Sequence, residues 1–255
     1  MGEKFMARHT TASMRALLGG KRAVVALVPI GSTEPHGPHL GLGTDVIISA
    51  AACVRAADVF DKRGPLVAVV APAVPYGVTE CAAGFAGAIS VPAGVLTAYL
   101  NAVCDGLLAT GVRHVCLVNN HLEPAHDAAV RAALDGRPAG TVSVACPLTR
   151  KWARTLSAEF KSGACHAGQY ETSIMMAAAP ELVDEAVRRA LPPIAISLSD
   201  KLRAGVGTFA EMGMTAAYTG APAAATEAEG EALIDKLAAM VVDEVRESLG
   251  LPISA

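Results

Sequence analysis

The sequence is poor in aromatic and charged side chains, and both shortages narrow the class of protein. Aromatic residues make up 4% of the 255 residues and charged residues 18%, whereas 52% are hydrophobic. This balance excludes an intrinsically disordered chain, because there is enough apolar surface to build a core. The net charge is −3 and Lys and Arg form no run, so the electrostatic footprint of nucleic-acid binding is missing. We expect no nucleic-acid partner.

The sequence also lacks a long apolar run, a leader pattern and closely paired cysteines. The apolar stretch at residues 23–30 is much shorter than the roughly 20 residues that cross a bilayer. The first ten residues mix charged and apolar types, without the apolar core of a secretory signal. The six cysteines have no C-x-x-C spacing of the kind that indicates zinc or redox chemistry. We therefore expect a cytoplasmic protein with reduced thiols and no membrane partner.

Short apolar runs alternate with amphipathic helical patterns. Four runs predict buried parallel strands at residues 23–30, 66–70, 114–118 and 142–146. Helical patterns cover residues 46–60 and 96–107, and a capping box at Thr226 and Glu229 opens the last helix. The alternation predicts one domain over residues 1–255, a three-layer α/β/α fold with a mainly parallel sheet. Residues 191–222 are irregular, and we interpret them as a lid, an oligomer contact or an irregular surface crossing.

The segment after the first predicted strand carries the first candidate metal ligands. Residues 31–45 are G-S-T-E-P-H-G-P-H-L-G-L-G-T-D. Glu34 and His36 are two residues apart, so in extended backbone their side chains point to the same side, about 6–7 Å apart. The loop then turns back to a helix start, where we expect Asp45 to supply a third ligand. A Glu-x-His pair alone is often a surface accident, but glycines and a strand end beside it favour a site.

A second polar group follows the third predicted strand, where His121 and Glu123 are again two residues apart. The carboxyl ends of adjacent parallel strands face a shared crevice, so we expect this group to meet the first one. Histidine and carboxylate without thiolate suit Zn²⁺, Mn²⁺ or Fe²⁺, and five ligands with a bridging aspartate suit two ions. Three carboxylates leave one positive charge on two divalent cations, which a bridging hydroxide neutralises.

A third polar group, C-H-A-G-Q-Y-E-T-S at residues 165–173, opens another predicted helix. Glu171 either lies in the first turn, where an acid is favourable, or belongs to the site. His166 is either a general acid/base or a hydrogen-bonded core histidine. A nucleophilic Cys165 is disfavoured, because a sequence neighbour such as His166 is not the spatial partner that a Cys/His pair requires.

Taken in order, these motifs resemble the creatininase (creatinine amidohydrolase) family. The resemblance runs from about residue 28 to residue 230 and is specific because the motifs are collinear. The motifs are G-S-T-E-x-H-G-P-H-L with T-D (31–45), G-F-A-G-A-I-S (84–90), N-x-H-x-E (119–123), H-A-G-x-x-E-T-S (166–173) and A-T-E-x-x-G (225–230).

The resemblance implies an α/β/α fold, a homohexamer and a two-metal centre that hydrolyses C–N bonds of cyclic or linear amides. It implies two divalent ions, Zn²⁺ and/or Mn²⁺, with Fe²⁺ as a further candidate. One ion would be held by Glu34, Asp45 and His121, and the other by His36, Asp45 and Glu123, with Asp45 bridging. A metal-bridging hydroxide would attack a small-molecule amide.

The same resemblance assigns the acid/base role near the leaving nitrogen to His166. It makes Glu171 a support of the metal shell or a ligand. Candidate substrate contacts are Tyr76, Phe85, Trp152 and Cys165, although single aromatic residues also serve packing. We further expect His39 to fold the glycine-rich loop or to bond a ligand carboxylate, and His126 to face solvent.

Some residues depart from the family pattern. Residues 34–36 are E-P-H for the usual E-Q-H, residues 85–88 are F-A-G-A for F-P-G-T, and residues 119–121 are N-N-H for N-G-H. The ligand types are kept. Residues 162–165 are S-G-A-C, where creatininase carries a Trp-Asp pair and an acid that hold creatinine. The sequence therefore predicts a substrate other than creatinine.

Two alternatives to small-amide hydrolysis stay open at this point. The first is a metallopeptidase or a formamide deformylase on the same centre, because the ligands do not discriminate among amides. The second is a non-catalytic, metal-binding, ring-forming homologue that kept the fold. The complete ligand set and His166 favour an enzyme.

Overall fold

A four-stranded parallel sheet organises the computed structural model, which describes residues 2–62 and 64–253. Its strands are β1 (Ala23–Ile30), β2 (Leu66–Val70), β3 (His114–Asn119) and β4 (Val142–Ala145). They lie in the order β2-β1-β3-β4, and each neighbouring pair is parallel. Nearly all their residues are buried, as expected for strands covered on both faces.

The helices of the described residues precede the first strand, connect the strands and follow the last one. The α-helices are α1 (Thr11–Leu18), α2 (Thr44–Lys62), α3 (Ala93–Ala109), α4 (Pro124–Ala132), α5 (Arg150–Ala153), α6 (Ala158–Ser162), α7 (Gln169–Ala178), α8 (Glu185–Ala190), α9 (Leu198–Arg203), α10 (Phe209–Met212) and α11 (Glu227–Ser248). Short 3₁₀ helices lie at Met6–Arg8, Pro180–Leu182 and Pro222–Ala224.

Two apolar cores lie on opposite faces of the sheet. Val25 and Leu27 of β1 belong to the core shared with α2, α7 and α11, whereas Val24, Ala26 and Val28 belong to the core shared with α3 and α4. Successive side chains of a strand point to opposite faces, so in a sheet that is buried on both sides they enter the two cores in turn. The predicted α/β fold with helices on both faces of a parallel sheet is confirmed.

The last helix begins where predicted, but only one half of the predicted capping box forms. The Thr226 side chain accepts a hydrogen bond from the Glu229 N–H at 3.2 Å. The Glu229 carboxylate, however, bonds Gln169 and Ser173 of α7, and the Thr226 N–H donates to the Ser173 hydroxyl. The second half of the box is missing because α7 packs against this helix end and takes up both groups.

Gly230 permits the close crossing of α7 and α11. A Cβ at this position would lie 1.8 Å from the Ser173 carbonyl oxygen, so any side chain would push the helices apart. This crossing fixes the position of α7, which begins within the third polar group (residues 165–173). Within the described ranges, no helix is long and apolar enough to cross a membrane.

Candidate active site

The polar motifs meet at the carboxyl ends of β1 and β3. The loop after β1 carries Glu34 and His36 and returns to Asp45 in the first turn of α2, while His121 follows β3. Gly31 allows the return, because a Cβ there would lie 2.6 Å from the Val46 nitrogen. The site therefore occupies the crevice where open parallel sheets bind ligands.

One set of metal-type donors consists of Glu34, Asp45 and His121, whose donor atoms lie within 4.8 Å of one another. The His121 Nδ1 lies 3.2 Å from Glu34 Oε1 and 3.0 Å from Asp45 Oδ2. Its Nε2 donates to the Val78 carbonyl at 2.7 Å, which orients Nδ1 towards the carboxylates. The Thr79 hydroxyl donates to the other oxygen of Glu34. The His121 ring and the Glu34 carboxylate are thus held in place by contacts outside the set.

A second set of donors consists of His36, Asp45 and Glu171. The His36 Nε2 lies 3.1 Å from Asp45 Oδ1 and 3.6 Å from Glu171 Oε2. Its Nδ1 donates to the Glu34 carbonyl at 3.1 Å, and the Ala167 N–H donates to Glu171 Oε2 at 2.6 Å. Asp45 therefore directs one oxygen to each set and connects the two.

Glu123 lies in the same cavity but belongs to neither set. Its two oxygens accept hydrogen bonds of 3.0 Å from the backbone N–H groups of Glu80 and Cys81. The structure thus places Glu171 beside His36 and Asp45, where the family resemblance implied Glu123.

His166 faces the site from the segment before α7. Its Nε2 donates to the Pro35 carbonyl at 3.0 Å, and its Nδ1 lies 3.8 Å from Glu34 Oε1. Burial and the neighbouring His36 lower the pKa of His166 to about 4, so the ring is neutral at pH 7. A neutral ring that donates from Nε2 presents the lone pair of Nδ1 to the site. His166 is therefore arranged to accept a proton.

Shifted pKa values determine the charge of the site in the metal-free protein. Burial lowers the pKa of His36, but Asp45, Glu171 and Glu34 outweigh it and raise that pKa to about 10. Glu34 and Asp45 similarly raise the pKa of His121 well above its ordinary value. Burial raises the pKa of Glu171 to about 8. At pH 7, two imidazolium rings and a protonated acid thus stand where bound cations would balance the carboxylates.

The rest of the cavity wall is apolar, and half of its side chains come from the irregular segment at residues 191–222. Its side chains are Cys81, Leu122, Cys165, Leu198, Leu202 and Phe209. Leu198 and Leu202 belong to α9, and Phe209 belongs to α10. The free volume of the cavity is ≈ 20 Å³, about enough for one water. In this structure the segment is a cover over the site.

The predicted substrate contacts lie in different places. Cys165 lines the cavity. Phe85 packs behind it, with its ring centroid 6.4 Å from that of Phe209. Tyr76 is 48% exposed, and Trp152 packs against the core under α2 and α11. None of these three aromatic rings lines the cavity, and their contact with substrate stays a prediction.

The expectation that His126 faces solvent is wrong. Its side chain is completely buried, and its ring meets the ring of His121 edge-on with centroids 4.6 Å apart. The His126 Nδ1 accepts a hydrogen bond from the Val78 N–H at 3.2 Å, and Val78 in turn accepts from His121. Gly77 provides the room, since a Cβ there would lie 2.4 Å from the His126 ring.

Two further side chains support the site. Thr79 has no sequence signal, because its contact with Glu34 depends on a loop that is distant along the chain. His39 bonds the Thr172 hydroxyl at 2.9 Å. It therefore ties the glycine-rich loop to α7 and does not bond a ligand carboxylate.

Comparison with known proteins finds a family model and relatives that match most of this chain. The family model described as "Creatininase: Creatinine amidohydrolase" matches residues 7–245. A mycofactocin precursor peptide peptidase of Mycolicibacterium smegmatis is 32% identical over 228 residues, which are 87% of this chain and 84% of that protein. The fold and motifs together define an amide-cleaving hydrolase.

Solved structures show the same fold. A creatininase with manganese superposes with a TM-score of 0.72 at 22% identity and covers 97% of this chain and 99% of its own. A zinc–zinc form of a mutant creatininase gives 0.71 at 22% identity and covers 98% and 99%. The chain belongs to the creatininase family, and the family inferred from its motifs is confirmed.

Proposed function

We propose that this chain hydrolyses an amide C–N bond with two divalent cations held by the two donor sets that share Asp45. The shared aspartate, with one oxygen directed to each set, is the observation that carries the proposal. Glu34 and His121 would complete one site, and His36 and Glu171 the other. Glu123, which the family pattern makes a ligand, would join them by releasing the backbone of Glu80 and Cys81.

The residues present fit such a pair of ions. Four carboxylates, those of Glu34, Asp45, Glu123 and Glu171, are nearly completely buried in one small cavity, and no Lys or Arg among the described residues lines it. Buried carboxylates are costly unless cations balance them. Histidine and carboxylate donors without thiolate suit Zn²⁺ and Mn²⁺, with Fe²⁺ as a further candidate. The two creatininase structures contain manganese and zinc, which supports this choice.

The side chains of the site divide the chemistry among them. When bound, two such cations supply a nucleophile at neutral pH and polarise the substrate carbonyl. His166 takes up a proton at Nδ1 and returns it to the leaving nitrogen, while Pro35 holds its other ring nitrogen. The apolar side chains of α9 and α10 exclude bulk water from this exchange.

A peptide bond is the second candidate substrate. The mycobacterial relative acts on a precursor peptide and is 32% identical, whereas the two creatininases superposed here are 22% identical. Residues 162–165 also lack the pattern with which creatininase holds creatinine. A linear amide in a short peptide is therefore favoured over a cyclic one. The cytoplasmic location and the homohexamer implied by the resemblance stay predictions.

A substrate panel tests the proposed reaction. The protein would be stripped with a chelator, reloaded with Zn²⁺ or Mn²⁺, and offered hydantoin, N-formyl amino acids, creatinine and short uncharged peptides. We expect the reloaded protein, and not the stripped one, to hydrolyse at least one linear amide, with little turnover of creatinine. Equal rates for stripped and reloaded protein, or no hydrolysis of any amide by the loaded protein, would contradict the proposal.

Metal binding should release about three protons per chain from the donor side chains at pH 7, in addition to the proton lost by a metal-bound water. His36 and His121 are protonated in the metal-free protein because their pKa values are raised, and Glu171, with a pKa of about 8, is mostly protonated. Ligands must be neutral imidazole and carboxylate, so affinity should rise as pH increases from 6 to 8. Titration calorimetry in buffers of different ionisation enthalpy measures the proton count. Glu171→Gln should lower it by about one, and an unchanged count in this variant would contradict the ligand role.

A further inference from the structure

The apolar wall opposite the donor sets has no role in the proposed metal chemistry. Leu198 and Leu202 are four residues apart in α9, so both side chains lie on the face that turns to the cavity. Phe209 adds its ring, whose centroid lies 4.4 Å from that of His166. These three side chains share one cavity with His166 and the donor sets, where the scissile amide would bind. They are thus placed where a substrate's substituent beside the scissile bond would lie.

We propose that Leu198, Leu202 and Phe209 select substrates in which the group attached to the scissile amide is apolar and uncharged. This inference rests on the proposed function and deepens it, because it names the substrate class that the same site accepts. A nonpolar amino-acid side chain or an aromatic ring beside the amide fits the description.

The wall is attached to the site by backbone hydrogen bonds. The Leu198 N–H donates to the Gly163 carbonyl at 2.8 Å, and the Phe209 N–H donates to the Cys81 carbonyl at 2.7 Å. Gly163, with φ of +82°, makes room for α9, since a Cβ there would lie 2.5 Å from the Ser197 hydroxyl. The wall is therefore held by the backbone of neighbouring loops, as a specificity surface requires.

Charge favours a neutral substituent over an anionic one. In the part of the chain that the structure describes, four carboxylates and no Lys or Arg line the cavity. Two divalent cations would balance the four carboxylates, which leaves no positive charge for a substrate carboxylate. An anionic group would then lose its hydration without gaining a partner.

Size indicates how the substituent enters. The cavity holds about one water, so a substituent fits only when part of the wall moves. Leu198 and Leu202 are only partly buried, and the chain after α9 contains Gly205 with φ of +81° and Gly207. We therefore place the movement in α9, after which its apolar face would contact the substituent.

Binding of hydroxamates to the metal-loaded protein tests this inference. The three probes share a metal-binding head group: acetohydroxamate has a methyl substituent, benzohydroxamate a phenyl ring, and succinic monohydroxamate a carboxylate. Calorimetry should show benzohydroxamate binding at least about 10-fold more tightly than acetohydroxamate, in the range expected for small apolar groups. Succinic monohydroxamate should bind more weakly than acetohydroxamate.

Variants connect the preference to the wall. In Leu198→Ala and Leu202→Ala the affinity ratio of benzohydroxamate to acetohydroxamate should fall, whereas Val59→Ala, an exposed aliphatic position of α2, should keep the ratio of the unchanged chain. Leu202→Lys should instead raise the affinity for succinic monohydroxamate. A gain of affinity requires a folded protein, so it shows that the changed ratios do not come from a damaged fold.

The outcomes distinguish this inference from the function on which it rests. If acetohydroxamate does not bind to protein that carries two ions, the proposed metal centre is wrong, and this inference is wrong with it. If acetohydroxamate binds but the phenyl probe has no advantage, or the carboxylate probe binds most tightly, only the apolar selection is overturned. Unchanged ratios in both alanine variants would also overturn it.

Discussion

Replacement of Asp45 by asparagine is expected to abolish stable binding of both metal ions and, with it, amide hydrolysis. Asp45 directs Oδ2 to His121 and Oδ1 to His36, so one substitution removes a negative oxygen from both donor sets. The loss of activity should exceed the roughly 10–100-fold that follows from loss of an outer-shell partner. Metal content per chain and kcat/KM on the amide found in the substrate panel measure the two effects.

A matched control lies in the same helix. Asp58→Asn removes the same charge from α2 but affects an ion pair with Lys4 that is partly exposed and distant from the site, and partly exposed pairs contribute little to stability. We expect Asp58→Asn to keep both ions and full activity. Full metal content and activity in Asp45→Asn would show that Asp45 does not connect two metal sites.

Replacement of His166 by glutamine should lower kcat by about 10²–10⁴-fold, the usual contribution of general acid–base catalysis. Glutamine can still donate a hydrogen bond to the Pro35 carbonyl, but it has no equivalent of the basic Nδ1 that faces Glu34. Metal content should stay at the value of the unchanged chain, because His166 belongs to the proton path and not to the two sets that share Asp45.

The metal content of His166→Gln is the decisive control. The donor atoms of His166, Glu34 and His36 also lie within 4.8 Å of one another, so the geometry alone permits His166 to act as a ligand. A variant that loses an ion together with its rate would overturn the acid/base role. A variant with both ions and an unchanged rate would also contradict it.

Local patterns predict much of this fold and part of the site. The strands at residues 23–30 and 66–70 follow from apolar runs between turn residues. Glu34, His36 and Asp45 are within reach of one another because their loop is short, and His121 joins them because β3 is the neighbour of β1. The ends of parallel strands lie at one edge of a sheet, so this meeting needs no knowledge of the helices.

The position of Glu171 was beyond such patterns. It depends on the packing of α7 against α11 at Gly230, where a Cβ would lie 1.8 Å from Ser173. A sequence shows that an acid lies in the first turn of a helix but not which cavity that turn faces. The choice between Glu171 and Glu123 beside His36 is therefore set by helix packing.

The positions of His126 and of the segment at residues 191–222 also depend on tertiary contacts that local patterns do not show. His126 lies two residues after Pro124 and directly before Asp127, a local pattern typical of an exposed helix start. The loop after β2 nevertheless covers it, because Gly77 leaves room for its ring. The segment at residues 191–222 has no regular period, so its place over the cavity follows only from contacts such as that of Phe209 with Cys81.

The metal content of the purified, metal-replete chain, measured by elemental mass spectrometry, tests the central claim most directly. We expect about two divalent ions per chain, and about one in Glu171→Ala, because only the second donor set loses a ligand. Glu123→Ala, measured beside it, should also lose metal, because Glu123 is proposed to leave the backbone of Glu80 and Cys81 and join the ligands. A chain that binds no divalent ion tightly under these conditions would contradict the metal-dependent mechanism and favour a non-catalytic homologue.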